Sequence, residues 1–405
     1  MLKKKLILLL LMSILIFVLT GCTKGITVNI PDSNLQQAIR DTLNKPTGNI
    51  TSDDMLKLTV LNASGRDISN LTGLEYAKNL KELYLNSNQI NNIGPLSRLT
   101  NLTKLYLEDN QISDVSPLKD LTNLTELYLS HNQITDISSL SNLTNLTKLS
   151  LNTNQISNIT PLKDLTNLTW LDLGDNQIGD ISPLKNLTNL TELYLQVNNI
   201  TDISSLKNLT KLTKLNLNSN HISDVSPLSN LINLTELNLN GNNISNIKPL
   251  KNLTKLTYLD LGSNQISDIN PLKNLTNLKN TNLEDNNLNN TSSVSNSKQI
   301  TTDANINPDS NNTNTNIYSP QKIIDSNGKQ IWKVYISNGY FHFSGTYKGT
   351  GNFIVELLDS NQDLVEVIAN EIGDYVSDKT VEVPYEGWYY LEIIVTDGSC
   401  TYSFR

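Results

Sequence analysis

The sequence predicts an α/β solenoid, with a parallel sheet along one side of stacked short units and 3-10 or irregular turns along the other. A helical cap precedes the solenoid and a small all-β sandwich follows it. Two observations carry the solenoid. Leu80, Leu102, Leu124, Leu146, Leu168, Leu190, Leu212, Leu234 and Leu256 open the same phrase every 22 residues, with a weaker copy at Leu58 and a decaying one at Leu278. Within a unit the apolar residues keep fixed places, as at Leu124, Leu127, Leu129, Ile134, Ile137, Leu140 and Leu143. A unit this small cannot bury its own apolar face and must stack on its neighbours. The cap and the sandwich follow from changes of pattern on either side.

Residues 1–21 read as an export signal, outside the fold. Lys3, Lys4 and Lys5 precede an apolar run, Leu6 to Leu19, that is short for a transmembrane helix. The run ends Leu19-Thr20-Gly21-Cys22, which resembles the bacterial lipobox. That resemblance implies acylation of Cys22 as the first residue of the mature chain, and display on the outer face of the cell membrane by two or three acyl chains. Cys400 is the only other cysteine, so a lipidated mature chain has no intrachain disulfide. Losing Lys3, Lys4 and Lys5 takes the formal charge from −8 to −11. Such a surface excludes nucleic acid, which calls for basic patches, and leaves the acyl group as the membrane contact.

Residues 22–57 read as anchor and cap. Pro31-Asp32-Ser33 leads into Leu35, Ala38, Ile39 and Leu43, the spacing of an amphipathic helix with an N-cap ahead of it, and Lys45-Pro46 ends it. Thr51-Ser52-Asp53-Asp54 could cap a second short turn. The repeats span residues 58–288, ten 22-residue units and a degenerate last one. Leu-x-Leu has the period of a strand. The remainder is too short for a long crossover helix, and Pro95, Pro117, Pro161, Pro183, Pro227, Pro249 and Pro271 favour 3-10 or irregular turns. Strands are wider than such turns, so the stack should curve into a horseshoe with the sheet inside.

A second column, Asn88, Asn110, Asn132, Asn154, Asn176, Asn198, Asn220, Asn242 and Asn264, lies where the chain leaves each strand. An inward asparagine can satisfy loop backbone with both amide and carbonyl, so the column reads as structural. The many Asn-Leu-Thr sequons follow from the repeat phase. After Leu278 the pattern fails: Thr281, Thr291 and Ser297 occupy apolar places. Residues 289–316 are rich in Asn, Ser and Thr and read as a linker. Residues 317–405 hold strand-like aromatic runs between turn signals at Asn327-Gly328, Asp359-Ser360-Asn361 and Asp397-Gly398, the pattern of a small sandwich of about seven strands.

Leu-Thr-Asn-Leu-Thr-x-Leu-x-Leu, Asn-Gln-Ile-Ser-Asp-Ile and the following Pro-Leu resemble the leucine-rich repeats of bacterial internalins. Ala38-Ile39-Arg40, Ile50-Thr51 and Leu71-Thr72-Gly73-Leu74-Glu75-Tyr76 resemble the internalin cap and first repeat. The resemblance implies a leucine-rich-repeat horseshoe that binds a protein partner on its concave face.

Two columns alternate with the buried leucines and should point off that face. At the third position stand Glu82, Lys104, Glu126, Lys148, Trp170, Glu192, Lys214, Glu236 and Tyr258. At the fifth stand Tyr84, Tyr106, Tyr128, Ser150, Asp172, Tyr194, Asn216, Asn238 and Asp260. Exposed tyrosine and tryptophan are favoured anchors at protein interfaces, so the aromatics, Asp172 and the charges Glu82, Lys104, Glu126 and Lys148 form the candidate protein-binding set. The competing reading stacks the tyrosines on one another and pairs the charges across strands.

Nothing supports an enzyme. His131, His221 and His342 have no spaced nucleophile and there is no phosphate loop. Asp359 to Asp363 resembles a calcium loop only loosely, because Leu364 stands where glycine is required. No cofactor or metal is expected. The chain reads as a monomeric, Gram-positive-type adhesion or recognition lipoprotein. The alternative is an envelope spacer whose β domain binds cell-wall or host glycan.

Overall fold

In the computed structural model, residues 25–288 are described in full, and beyond them the backbone of the strands between 300 and 404. Helix α1 (Ser33–Leu43) buries Leu35, Ala38 and Ile39. One carboxylate oxygen of Asp32 accepts the N–H groups of Asn34 and Leu35, both at 3.0 Å. The other accepts those of Ser69 (2.9 Å) and Asn70 (3.2 Å), so the N-cap also ties the helix to the first repeat. Asn44 ends α1 in the left-handed conformation. The single turn α2 (Ser52–Met55) carries a capping box between Thr51 and Asp54. Lys45 (2.5 Å) and Lys57 (2.9 Å) hold the Asp54 carboxyl well below the usual carboxylate range.

The repeats form three-residue strands: β1 (Val60–Asn62), β2 (Glu82–Tyr84), β3 (Lys104–Tyr106), β4 (Glu126–Tyr128), β5 (Lys148–Ser150), β6 (Trp170–Asp172), β7 (Glu192–Tyr194), β8 (Lys214–Asn216), β9 (Glu236–Asn238), β10 (Tyr258–Asp260) and β11 (Asn280–Asn282). They lie in order as one parallel sheet, each residue opposite its counterpart in the next unit: Leu83 faces Leu105, which faces Leu127. The central residue of every strand is buried and its two neighbours point away, so one residue per strand is committed to the core. On the return side each unit makes one short 3-10 turn, from Leu74–Tyr76 to Asn270–Asn274. Proline opens many of them, for example Pro183, where the missing N–H costs nothing. Val28 to Leu283 form one continuous apolar core.

Polar ladders finish the stacking. The Asn132 amide donates to the carbonyls of Leu107 (3.0 Å), Leu129 (3.1 Å) and Ser130 (3.1 Å), while its carbonyl accepts Ile112 N–H at 2.9 Å. The other asparagines of the column, Asn88 through Asn264, repeat this pattern, and Asn286 extends it past the point where the leucine pattern decays. A threonine ladder adds one bond per unit, from the Thr103 hydroxyl to the Lys81 carbonyl (3.0 Å) through Thr257 to Thr235 (3.1 Å).

The segment read as a linker supplies a further strand. β12 (Ile300–Thr301) pairs parallel with β11, Ile300 opposite Thr281, and so covers the last edge of the sheet. Residues 307–405 are a separate compact unit. It contains β13 (Gln321–Ile324), β14 (Gln330–Ile336), β15 (Tyr340–Lys348), β16 (Asn352–Leu358), β17 (Leu364–Ile372), β18 (Tyr375–Glu382), β19 (Gly387–Val395) and β20 (Ser399–Phe404). These form two antiparallel sheets, ordered β13-β14-β19-β16-β17 and β18-β15-β20, one strand more than the sequence led us to expect. Cys22, the calcium-like loop at 359–363 and the remainder of 289–316 lie outside the described residues.

Candidate functional site

The outward residues of β2 to β7 bring five aromatics into one row. Tyr84 and Tyr106 stack at 4.7 Å between ring centroids and 14° between planes; Tyr106 and Tyr128 stack at 4.7 Å and 7°. Trp170 lies 6.0 Å from Tyr128 and 5.8 Å from Tyr194, tilted by 42° and 51°. Tyr128 and Tyr194 are three strands apart, roughly 14 Å at the usual strand spacing. A ring within 6.0 Å of both must lean from its own column across Ser150 and Asp172. The indole bridges the gap that these two smaller residues leave, and Ser150 is 4 % exposed beneath it.

Stacking and anchoring were alternatives in the sequence, and the geometry divides the row between them. Tyr84, Tyr106 and Tyr128 stack in a column, with both faces of Tyr106 engaged, whereas Trp170 meets its two neighbours at a tilt. Tyr258 is apart from the row and donates its hydroxyl to Asp260 at 3.3 Å.

Charges line the row. Lys104 lies 3.9 Å from Glu82 and 3.8 Å from Glu126, Lys148 lies 3.9 Å from Glu126, and Lys214 lies 3.6 Å from Glu236. Such half-exposed pairs add little stability. The Tyr84 hydroxyl donates to Glu82 (2.8 Å), Tyr106 to Glu126 (3.2 Å) and Tyr194 to Glu192 (2.7 Å). These carboxylates and burial hold the phenols protonated: the Glu82 hydrogen bond raises Tyr84, and burial raises Tyr106 and Tyr194 and pushes Tyr128 up to about 12. The phenol donors are thus engaged by carboxylates, and what the face presents outward is acceptors on an aromatic ground. Among the described residues no cluster of histidine, cysteine and carboxylates could hold a metal.

The candidate Asp172, and Ser150, Asn238 and Asp260 beside it in the fifth column, differ from the exposed positions that alternation suggests. Asp172 is half-buried as a residue, but its carboxylate accepts Gly174 N–H at 2.9 Å, and burial pushes it up to about 6. Asp260 is buried and its carboxylate accepts Asn240 (3.1 Å), Asn282 (3.0 Å) and Gly262 N–H (3.0 Å); burial raises it too.

Alternation continues two residues past the fifth position, and the sequence reading did not follow it there. This third outward column holds Asn86, Glu108, Ser130, Asn152, Gly174 and Gln196. Burial pushes Glu108 up to about 7, and its Oε2 is enclosed without a partner, as is Gln196 Oε1. Gln196 packs directly over Gly174: a Cβ there would sit 2.2 Å from Gln196 Nε2 and would displace that amide. One residue further, the chain turns with positive φ in every unit from Ser87 to Asp285. The occupants are residues that bond locally or lack a side chain, except Val197 at φ 52°. That signal was readable, since valine is the least suited of them to this conformation.

A family model described as leucine-rich repeats (2 copies) matches residues 78–120, 122–164, 166–208, 188–230, 210–252 and 232–274. A solved internalin, InlF of Listeria monocytogenes, is 36% identical over 71% of this chain and 100% of that one, with TM-score 0.61. Internalin C2 of the same organism is 39% identical over 53% of this chain and 97% of its own, with TM-score 0.52. The functional domain of InlJ, also from Listeria monocytogenes, is 26% identical over 69% of this chain and 62% of its own, with TM-score 0.61. That domain includes a cysteine ladder; this chain, with Cys22 and Cys400 alone, has asparagine and threonine ladders in its repeats. No curated protein matches significantly. The fold and the sheet face define a leucine-rich-repeat solenoid. Within that class, the chain belongs to the internalin family.

Proposed function

We propose that the protein is a non-enzymatic bacterial surface lipoprotein, anchored through Cys22, that holds a protein partner on the concave sheet face of its repeats. The observation that carries this is the aromatic row from Tyr84 to Tyr194, held on β2, β3, β4, β6 and β7, closed over β5 by the Trp170 indole and bordered by carboxylates. Rigid aromatics on a preformed sheet lose little freedom on binding, which suits recognition. The β sandwich of residues 317–405 then acts as a separate module.

Tyr106→Ala combined with Tyr128→Ala should cost about 2 kcal/mol or more of partner binding, with the far-UV spectrum unchanged. Pull-down from host and bacterial extracts with residues 25–306 and with residues 307–405 shows which unit retains the ligand. Wild-type affinity in the double variant, or glycan or protein captured only by 307–405, favours instead a spacer whose β domain does the gripping. Anchoring has its own test. Cys22→Ala should release the protein to the medium or leave it unprocessed; a lipid-labelled membrane product from that variant would refute the anchor.

A further inference from the structure

Three departures from the repeat pattern meet at β6 and β7. The Trp170 indole leans out of its own column into the gap between Tyr128 and Tyr194. Gln196 lies over Gly174 with its Oε1 enclosed and unpartnered. Val197 holds a positive φ that no β-branched residue favours, and presents its methyls to solvent at 40 % exposure. Thr153 shares the conformation at φ 52° but bonds its hydroxyl to Asn152; valine has nothing to bond. A buried acceptor without a donor and a strained apolar residue both cost stability. Neither is explained by packing within the solenoid.

We infer that the surface of β6 and β7 is where the partner is gripped, and that it takes a protein segment presenting an arginine or lysine flanked by apolar side chains. This rests on the reading above that the sheet face binds protein. The chemistry follows from what the surface lacks. Its accessible hydrogen-bonding capacity is on an acceptor, the Glu192 carboxylate, which takes the Tyr194 hydroxyl while Lys214 turns to Glu236. A guanidinium brings five donors and no acceptor, and an ammonium three. Trp170 is half-exposed, and its indole is the largest π surface of the row on which such a cation can rest. Val197 supplies the apolar rim. An acidic chain attracts a basic partner segment and repels an acidic one.

The test pans a displayed random dodecapeptide library on the full chain and measures the recovered peptides in solution. Recovered sequences should centre on arginine or lysine between aliphatic or aromatic residues. Trp170→Ala and Glu192→Gln should each weaken these peptides about tenfold or more. Val197→Asn separates function from fold: it should weaken binding several-fold while raising Tm by about 2 °C, because asparagine tolerates the turn. A consensus that is acidic or uncharged, the absence of any binder, or unchanged affinity in Trp170→Ala overturns the inference. Binding lost in Tyr106→Ala with Tyr128→Ala but kept in Trp170→Ala overturns it too, while leaving the sheet-face function standing. Loss in neither set removes both.

Discussion

At the scale of single residues, the carboxyls of Glu108 and Asp172 are where this surface departs furthest from a solvated sheet. Both are raised by burial, Glu108 to about 7 and Asp172 to about 6, from ordinary values of 4.5 and 3.8. A carboxyl raised in the folded state favours folding while it stays protonated. Its contribution is complete below the unfolded value and is lost as pH rises through the folded one. Asp54 and Asp32 are lowered and act in the opposite sense, but only in stronger acid. Between pH 8 and pH 5 the raised carboxyls, with Asp260 acting in the same sense, should dominate. Thermal midpoints should therefore climb as pH falls through that window, and Glu108→Gln with Asp172→Asn should flatten the profile. A wild-type midpoint that falls across the same window would contradict this account.

At the scale of elements, the sequence is legible wherever one residue type has one physical task. The central leucine of each strand, the Asp32 cap, the Thr51 and Asp54 box and the proline-led 3-10 turns are local rules, and each is found at its expected residues. The bonds of Asn88 through Asn264 are legible for the same reason, because an amide enclosed by leucines must take backbone partners. The lean of Trp170 was not legible. It depends on the small Ser150 one strand away and on Tyr128 two strands away, a relation across 42 residues that alternation within one strand does not encode. Glu108 and Gln196 were missed for another reason. The strands are only three residues long, yet the outward alternation runs on into the turn, so the face is three columns wide. The division of the aromatic row into stacked and tilted parts likewise needs ring planes, which residue names do not carry.

At the scale of the whole repeat unit, the weak point is its last turn. Thr281 stands where every other strand has a buried apolar residue, and its hydroxyl is enclosed without a partner. A stranded hydroxyl of this kind costs about 1–3 kcal/mol. Burial also loosens towards this end, with Leu275 at 3 % and Leu278 at 8 % exposure against 0 % for Leu253 and Leu256. In a solenoid, stability is a sum of unit and neighbour terms, so an uncovered weak end frays before the middle does. β12 is the neighbour that end requires, and it comes from the stretch that composition marks as a linker. A fragment of residues 25–306 should therefore melt a few degrees above one of residues 25–288 and aggregate less, because the shorter one exposes the edge of β11. Thr281→Leu should recover part of the loss in the shorter fragment by removing the stranded hydroxyl and restoring the leucine column. Differential scanning calorimetry of the three proteins decides it: equal midpoints for the two fragments would mean that β12 adds nothing to the stack, and a lower midpoint for Thr281→Leu would mean that the hydroxyl is satisfied after all.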